Sequence, residues 1–267
     1  MSDRNFDDLA HRFRKRIYGG LKGDIRLAVL NRELAPVLAG EPGALLKVVD
    51  AGGGQGQFAM DLAAAGHRVF LADISAQMLA QAGERVEERK LQDRVTLLHR
   101  PLQELPGLPE VREADLVLCH AVLEWLEKPG EAIRRLRDLL RPGGHLSLTF
   151  YNRRGLEYRL LQRGSFRQLD RNINSGHWGG HPGSLTPQNP LLLEWIEDWL
   201  AQAGLSVVAH SGIRCFSDFM EESIRDSLPA AAIVEKELAY SRVAPYRELA
   251  RYIHLLCRWD YRHSGPA

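Results

Sequence analysis

VVDAGGGQGQ, residues 48–57, begins as an apolar run, reaches an acid at Asp50 and continues as a glycine-rich segment. The apolar run predicts a buried β-strand, and the glycines at positions 52, 54 and 56 predict a tight turn whose backbone can approach a ligand closely. Apolar residues at helical spacing follow from Phe58 to Ala65, and Gly66 marks the end of that predicted helix. The segment therefore predicts a strand, a glycine turn and a helix, in that order.

A second apolar run, Arg68 to Asp73, follows the helix and ends in an acid twenty-three positions after Asp50. The three elements together predict a β-α-β unit with a carboxylate at the tip of its second strand. In such units this acid accepts hydrogen bonds from the ribose of a bound nucleoside. A glycine turn used for packing alone would leave Asp73 unexplained, so we interpret the unit as a nucleoside site.

The residues after the last glycine indicate which class of nucleoside is bound. A phosphate-binding Walker sequence requires Lys followed by Ser or Thr, whereas this chain has Gln57 and Phe58. Nucleoside triphosphates are therefore disfavoured. The pattern Asp-x-Gly-x-Gly-x-Gly, from Asp50 to Gly56, resembles the first motif of the class I S-adenosylmethionine-dependent methyltransferases. In that family the first acid lies near the methionine end of the cofactor, and the second acid, here Asp73, holds the ribose.

The composition is that of a globular chain, because 267 residues, 45% hydrophobic and 26% charged, supply enough apolar material for one large α/β domain. We expect a single domain over residues 1–267, with an N-terminal helical cap at 1–40 and a basic insertion at about 152–190. No apolar run approaches the ~20 residues that cross a bilayer, and the N-terminus lacks the apolar core of a signal peptide. We therefore expect a soluble, cytoplasmic protein. The three cysteines form no Cys-x-x-Cys pair, so neither a disulfide framework nor a metal site is expected.

Positive charge is concentrated in two segments, although the net charge of the chain is +1. Residues 1–32 carry eight Lys or Arg against four acids, and residues 151–190 carry six Arg against two acids. The second segment is rich in Gly, Asn, His and Ser and predicts a short helix followed by a long loop, a kind of insertion that is usually functional or mobile. Its arginines beside His177, Trp178 and His181 would suit a strand of RNA, because cations meet phosphates and an aromatic ring stacks on an exposed base.

Five further strands complete the predicted sheet. Apolar runs predict the third strand at 95–100, the fourth from 114, the fifth from 146, the sixth at 205–216 and the seventh in the latter half of 246–258. Helices are expected at 75–90, with Ser75 as the N-cap, and at 191–203 and 219–238, while a helix end and a proline-glycine turn are expected at 140–145. The predicted fold class is α/β, a Rossmann-like class I methyltransferase fold. Its seven-stranded sheet is mostly parallel, with an antiparallel seventh strand beside the fifth and helices on both faces.

Parallel strands share one carboxyl edge, so residues at the tips of other strands are candidates for the same site. Arg26 follows the glycine-containing loop at 17–24, and its planar guanidinium is suited to a ligand's carboxylate; the ordinary alternative is a solvated helix residue. Leu102 lies just beyond the third strand, where methyltransferases pass the adenine ring. His120 ends the fourth strand and points at the crevice, although a lone histidine is more often structural.

The resemblance becomes specific because several short motifs occur together. They are residues 3–8 (DRNFDD), 17–19 (IYG), 50–54 (DAGGG), 75–78 (SAQM), 120–125 (HAVLEW), 150–152 (FYN) and 251–254 (RYIH). In these motifs, which span nearly its whole length, the chain resembles the bacterial tRNA 5-carboxymethoxyuridine methyltransferases. That family transfers a methyl group from S-adenosylmethionine to the carboxylate of 5-carboxymethoxyuridine at the wobble position of tRNA, giving the methyl ester. The resemblance implies the tRNA anticodon loop as partner and cofactor contacts at Arg26, Asp50, Gly52, Gly53, Gly54, Asp73, Leu102 and His120.

The implied reaction needs no general base. A carboxylate has a pKa near ~4, so the nucleophile is already ionised at neutral pH. The enzyme has to hold one oxygen in line with the sulfonium methyl group and to exclude water from it. We predict that Tyr151, at the tip of the fifth strand, and Arg214, after the sixth, hold the substrate carboxylate. The ordinary alternatives are a core-edge aromatic for Tyr151 and a surface charge for Arg214.

Two other classes of function stay open from the sequence. A small-molecule methyltransferase, of quinones or other metabolites, would share the fold, but apolar residues would line its mouth instead of two basic segments. A non-catalytic, cofactor-binding regulator would carry the same motifs, because binding motifs do not prove turnover. An affinity for tRNA that falls steeply with added salt would distinguish a tRNA methyltransferase from a small-molecule methyltransferase. Methyl transfer to tRNA would distinguish it from a non-catalytic regulator. The oligomeric state is left open.

Overall fold

The structure is a computed structural model that describes residues 7, 20–40, 43–178, 187 and 189–260. Its centre is a seven-stranded sheet with the order β3-β2-β1-β4-β5-β7-β6. The strands are β1 (Lys47–Ala51), β2 (Arg68–Asp73), β3 (Val95–His99), β4 (Ala114–His120), β5 (Leu140–Tyr151), β6 (Leu205–Ile213) and β7 (Tyr252–Trp259). β1 to β5 run parallel to one another, and β7 runs antiparallel between β5 and β6. The predicted fold class is confirmed, including the antiparallel seventh strand beside the fifth.

Helices cover both faces of this sheet. In the part of the chain that the structure describes they are α1 (Leu21–Leu38), α2 (Gln57–Ala64), α3 (Ala76–Glu88), α4 (Pro129–Arg137), α5 (Arg153–Gln162), α6 (Phe166–Ser175), α7 (Leu193–Gln202), α8 (Glu222–Ser227), α9 (Ala230–Tyr240) and α10 (Tyr246–Leu249). Short 3-10 helices occupy Leu102–Gly107, Pro109–Val111 and Leu123–Trp125. The predicted N-cap of α3 is confirmed, because Oγ of Ser75 accepts a 3.1 Å hydrogen bond from the backbone N–H of Met78.

Side chains of the central strands alternate between two cores, one on each face of the sheet. On one face Val48 and Leu116 pack with apolar residues of α1, α2 and α3. On the other face Val49 and Val117 pack with apolar residues of α4 and α7. Because both faces are covered, these strands are apolar throughout, which explains why the sequence shows apolar runs instead of polar alternation. Polar residues are left to the ends of the strands.

The register of the parallel strands brings several of these polar ends to one edge. Asp50 of β1 pairs with Leu118 of β4, and His120 of β4 pairs with Thr149 of β5. Asp73 is the last residue of β2, the other neighbour of β1. The carboxyl edge of β1, β2, β4 and β5 therefore collects the acids and the histidine that the sequence analysis selected.

One local prediction, the helix end and turn at 140–145, is wrong. α4 ends at Arg137, and β5 already begins at Leu140, which pairs with Ala114 of β4. The register then shifts between Ala114 and Leu116. The proline and glycine residues form an irregularity within β5 and do not end it, because the residues on either side of them both pair with β4.

The insertion at 152–190 is more helical than predicted, since α5 is followed by a second helix, α6, where a loop was expected. Oδ1 of Asn152 caps α5 by accepting a 3.1 Å hydrogen bond from the backbone N–H of Arg154. Leu169 of α6 packs against a buried cluster that includes Trp178. Phe166, Leu169 and Ile173 stand three and four residues apart in α6, a helical spacing that the prediction of a loop overlooked.

Some predicted features lie outside the described residues. They are residues 1–6 and 8–19 of the helical cap predicted at 1–40, which include the start of the loop at 17–24, and His181. From Leu21 onward that predicted loop is already the first turn of α1. Within the described ranges, none of the helices is both long and apolar enough to span a bilayer. The same residues bring together no group of three or more His, Cys, Asp or Glu that could hold a metal ion.

Candidate active site

The turn between β1 and α2 packs too tightly for side chains. Gly52 has a φ of 79°, and a Cβ at this position would lie 2.6 Å from a methyl carbon of Val122. A Cβ at Gly53 would lie 2.6 Å from Oδ2 of Asp50. Only glycine fits both positions, so the backbone itself forms the wall of the crevice between β1 and β4.

Asp73 ties the tip of β2 to this turn. Its carboxylate accepts a 2.8 Å hydrogen bond from the backbone N–H of Gly54 on one oxygen and a 2.8 Å bond from the backbone N–H of Ser75 on the other. Burial raises the pKa of Asp73, and these backbone bonds oppose the rise. Two carboxylate oxygens offer about four acceptor positions, so the side chain keeps capacity for the hydroxyl groups of a ribose.

Asp50 is the second acid at this edge and is 6% exposed. Burial, together with the nearby charge of Asp73, raises its pKa to about 7. Two carboxylates at the tips of adjacent strands therefore repel each other in a region of low dielectric. A ligand that carries positive charge would relieve this repulsion, and the sulfonium and ammonium groups of S-adenosylmethionine provide such charge. The residues present thus fit that cofactor.

Half-buried His120 begins a chain of three polar side chains that crosses β4, β5 and β7, and the other two, Ser147 and His254, are fully buried. Its Nε2 lies 2.8 Å from Oγ of Ser147, and the same oxygen lies 2.9 Å from Nε2 of His254. Burial lowers the pKa of His120 well below its usual value and lowers that of His254 to about 4, so both rings are neutral at pH 7. Phe58 contacts the His120 ring edge-on, with 6.0 Å between the centroids. The structure therefore fixes His120 at the tip of β4 as a neutral, oriented ring.

Arg26 of α1 lies over the same edge. It is 8% exposed, and its guanidinium carbon lies 5.1 Å from the centroid of the Tyr252 ring. Glu124, in the 3-10 helix after β4, is fully buried, and neither of its carboxylate oxygens has a well-oriented hydrogen-bond partner among the described residues. Burial raises the pKa of Glu124 to about 8, and the charge of Arg26 opposes this rise. Arg26 is thus placed beside a buried carboxyl group that the sequence analysis did not select.

Leu102 begins the 3-10 helix that follows β3 and is 6% exposed. Its side chain packs into the core cluster on the α4 face of the sheet. This places it just beyond the tip of β3, as expected. Its contact with an adenine ring stays a prediction.

The structure brings Tyr151 and Arg214 into one region. Tyr151 ends β5 and is fully buried, yet its hydroxyl has no hydrogen-bond partner among the described residues. Arg214 follows β6, and its Nε and Nη2 donate hydrogen bonds of 3.1 and 2.6 Å to the carboxylate of Asp218. Burial raises the pKa of Tyr151, and the charge of Arg214 is among those that oppose the rise. Arg214 therefore has a carboxylate partner within its own chain, and the role of both residues toward a substrate stays a prediction.

Four residues of this region were missed from the sequence as site residues: Glu124, Ser147, Arg251 and His254. Three of them stand in the motifs at 120–125 and 251–254 that carried the family resemblance, so the available signal was the motif itself. Ser147 is a single serine inside an apolar strand and gave no signal. Its importance depends on the register that places it between two histidines.

Comparisons with known proteins show which family the chain is similar to. The methyltransferase domain family matches residues 49–148. The tRNA 5-carboxymethoxyuridine methyltransferase of Escherichia coli (strain K12) is 38% identical over 258 residues, which cover 97% of this chain and 97% of that protein. A ubiquinone biosynthesis O-methyltransferase of Psychrobacter cryohalolentis is 32% identical over 130 residues, which cover 45% of this chain and 50% of that protein.

A solved structure of magnesium protoporphyrin IX methyltransferase from Synechocystis PCC 6803, with bound SAH, matches 95% of this chain and 95% of its own with a TM-score of 0.62. Its sequence is 20% identical, so this likeness shows the fold. Similarity to the Escherichia coli relative, by contrast, extends over almost the full length of both chains at 38% identity. The chain therefore belongs to the family of tRNA 5-carboxymethoxyuridine methyltransferases, within the class I S-adenosylmethionine-dependent methyltransferases.

Proposed function

We propose that this protein transfers the methyl group of S-adenosylmethionine to the carboxylate of 5-carboxymethoxyuridine at the wobble position of tRNA, forming the methyl ester. The observation that carries the proposal is the 38% identity that spans 97% of this chain and 97% of the Escherichia coli tRNA 5-carboxymethoxyuridine methyltransferase. A shared cofactor motif alone would not extend over the insertion and the last two strands. The similarity therefore includes the segments that surround the cofactor site, where a substrate is selected.

The cofactor site is assigned to the carboxyl edge of β1, β2 and β4. The backbone of 52–54 lines the crevice, Asp73 binds the ribose hydroxyl groups, Asp50 faces the positively charged end of the ligand, and Arg26 binds its carboxylate. Arg26 suits this task because a guanidinium forms charge-assisted hydrogen bonds with a carboxylate. Leu102 is assigned to the adenine ring. The bound cofactor supplies one thing, an electrophilic methyl group on a sulfonium centre.

The chain's own residues act by positioning and by excluding water. The substrate carboxylate is ionised at neutral pH, because its pKa is near ~4, so no group has to remove a proton. The neutral His120 ring and the buried Tyr151 ring form dry walls at the tips of β4 and β5. Tyr151 and Arg214 are proposed to belong to the region that receives the substrate carboxylate, where one of its oxygens is held in line with the methyl group. Exclusion of water strips the nucleophile of its hydration shell and raises its reactivity.

The anticodon loop of tRNA is the proposed partner, and a cytoplasmic location is part of the proposal. A groove of about 530 Å³ beyond the tips of β4 and β5 is lined by Trp178, Trp195 and Trp199. The guanidinium carbon of Arg153 lies 4.3 Å from the Trp178 ring centroid and 5.7 Å from that of Trp195. Aromatic and guanidinium planes stack on unpaired bases, the form in which RNA loops are recognised. This groove supports an RNA substrate.

The proposal is tested with purified protein, S-adenosylmethionine and two anticodon stem-loops, one carrying 5-carboxymethoxyuridine at the wobble position and one carrying uridine there. Mass spectrometry of the digested RNA is expected to detect the methyl ester in the first stem-loop and no change in the second. Affinity for the stem-loop is expected to fall steeply with added salt, because phosphate contacts release counterions. Cofactor binding without transfer to the modified stem-loop would contradict the proposal and favour a regulator.

A further inference from the structure

Three buried polar atoms without hydrogen-bond partners lie around the tip of β5. They are the hydroxyl oxygen of Tyr151, Nε of Arg159 and Nη1 of Arg251, none of which has a partner among the described residues. The guanidinium carbon of Arg251 lies 5.0 Å from the centroid of the fully buried Tyr151 ring, and the charge of Arg159 acts on both of these residues. Buried donors in folded proteins are almost always satisfied. Three of them in one place indicate a ligand that accepts hydrogen bonds.

The surrounding charges identify that ligand as an anion. Arg214 and Arg251 act electrostatically on Lys22, and Arg251 acts on Arg159. Asp218 is the carboxylate that acts on both Lys22 and Arg159. Burial, together with the neighbouring cations, lowers the pKa of Lys22 and that of Arg159. Cations that lower each other's pKa in this way are stabilised by added negative charge. A cavity of about 230 Å³ lies next to Asp218 and is lined by Leu21, Lys22, Ser217, Asp218 and Arg225.

The cations differ in how closely they contact Asp218. Arg214 donates hydrogen bonds to it from both Nε and Nη2, so that guanidinium is held in place and its charge is largely neutralised. Nε of Arg251 lies 3.9 Å from the same carboxylate, which leaves Nη1 of Arg251 for another acceptor. The donors with spare capacity are therefore those of Arg159 and Arg251, on α5 and immediately before β7.

We propose that Tyr151, Arg159 and Arg251 bind the carboxylate of the RNA substrate, with Asp218 holding Arg214 beside them; this inference rests on the proposed function. We call the three residues the carboxylate cradle. Tyr151 lies two residues beyond Thr149, which pairs with His120, so the cradle is at the same edge of the sheet as the cofactor site. Each cradle residue gives a single hydrogen bond. The reacting oxygen therefore keeps a lone pair for attack on the methyl group. A bidentate contact with one guanidinium would instead occupy that lone pair.

The cradle is tested with Tyr151→Phe, Arg159→Lys and Arg251→Lys, which preserve ring size or charge. The control is Arg68→Lys, because the Arg68 guanidinium carbon also lies 5.0 Å from an aromatic centroid, that of Phe70, but at the opposite edge of the sheet. Each variant is first checked for an unchanged thermal transition. The measurements are the Kd for the modified and the unmodified stem-loop, kcat and KM for the modified one, and the Kd for S-adenosylhomocysteine.

For each cradle variant, kcat/KM on the modified stem-loop is expected to fall roughly 10- to 100-fold, and the preference for the modified over the unmodified stem-loop is expected to shrink toward none. Affinity for S-adenosylhomocysteine and for the unmodified stem-loop should stay within about twofold, as should every value for the control. Equal weakening toward both stem-loops would instead indicate a contact with a backbone phosphate and overturn the inference, as would an unchanged preference. A wild-type protein that fails to methylate the modified stem-loop would contradict the proposed function itself.

Discussion

One oxygen of Asp73 accepts a 2.8 Å hydrogen bond from the backbone N–H of Gly54, so the acid that ends β2 also fixes the turn that follows β1. Replacement of Asp73 by Asn removes the negative charge and places an amide donor where an acceptor is required. We expect Asp73→Asn to weaken S-adenosylhomocysteine binding roughly 10-fold or more, measured by calorimetry. The control is Asp93→Asn at an exposed position after α3, which should bind normally. Equal affinity in both variants would remove Asp73 from the ribose site.

Gly52 is one of the positions in the turn where a side chain is excluded, because its φ is positive and a Cβ would meet Val122. We expect Gly52→Ala to lower the free energy of unfolding by roughly 1–3 kcal/mol and to abolish detectable cofactor binding. Gly107→Ala is the matched control, since no atom lies within 4 Å of a Cβ built there, and its effect should be within about 0.5 kcal/mol. Chemical denaturation and calorimetry measure the two effects. Normal binding by Gly52→Ala would show that the backbone there does not approach the ligand.

The pKa of Asp50, raised to about 7 by burial and by Asp73, makes stability depend on pH. The folded chain keeps the proton of this group up to about pH 7, whereas the unfolded chain loses it near pH ~4. The contribution of Asp50 to stability is therefore full below about pH 4 and is lost as the pH rises toward 7. We expect Asp50→Asn to raise the Tm relative to wild type at pH 8, with no difference near pH 4, while weakening S-adenosylmethionine binding. A Tm that is unchanged at pH 8 would contradict the raised pKa.

Glu33 of α1 holds a second pH-dependent contact, with Ser211 of β6, which pairs with His254 of β7. Glu33 is 1% exposed, and its carboxylate accepts hydrogen bonds from Ser211 at 2.7 Å and from Arg242 at 2.6 Å. Burial alone would raise the pKa of Glu33, but these hydrogen bonds lower it to about 2. We expect Glu33→Gln to cost roughly 3 kcal/mol at pH 7. The loss should shrink as the pH falls from about 4.5 toward 2, because the wild-type carboxylate is then protonated as well.

A matched control for Glu33→Gln is Asp61→Asn, which breaks the exposed 2.9 Å ion pair with Arg89. That pair lies in water, so its loss should change the free energy of unfolding by about 0.5 kcal/mol or less. Denaturant titrations at pH 7 and pH 3 measure both variants. Similar small losses in the two would show that the buried contacts of Glu33 add nothing beyond a surface pair.

The nucleoside half of the site was predictable because its signals are local. A glycine turn, an acid two residues before it and an acid at the next strand tip all lie within residues 50–73, and parallel strands must present them at one edge. The seventh strand was also readable as an apolar run, whereas its antiparallel position beside the fifth was implied by the resemblance to the class I methyltransferases. The irregular start of β5 could not be predicted from the sequence, because a proline-glycine pair usually indicates a turn. Here the residues on both sides of the pair are instead hydrogen-bonded to the neighbouring strand β4.

The substrate half could not be read from local patterns. Ser147 and His254 are 107 positions apart, and their contact exists only in one register of β5 against β7. The environment of Tyr151 is likewise assembled from α5, which follows it directly, and from two segments distant in sequence, the residues after β6 and the start of β7. In the sequence, individual arginines in such segments look like surface charges. Only the order of the strands in the sheet shows that they lie close together near Tyr151.

The place of β7 in the sheet has a consequence for biosynthesis. β6 pairs with no strand but β7 within the described residues, and β7 follows β6 in the chain. A nascent chain that has not yet exposed residues 251–259 can assemble β1 to β5, but β6 then lacks a neighbour, and Arg251 and His254 are missing from the carboxyl edge of the sheet. The proposed carboxylate cradle should therefore be completed in one late step, when β7 inserts between β5 and β6, both of which precede it in the chain.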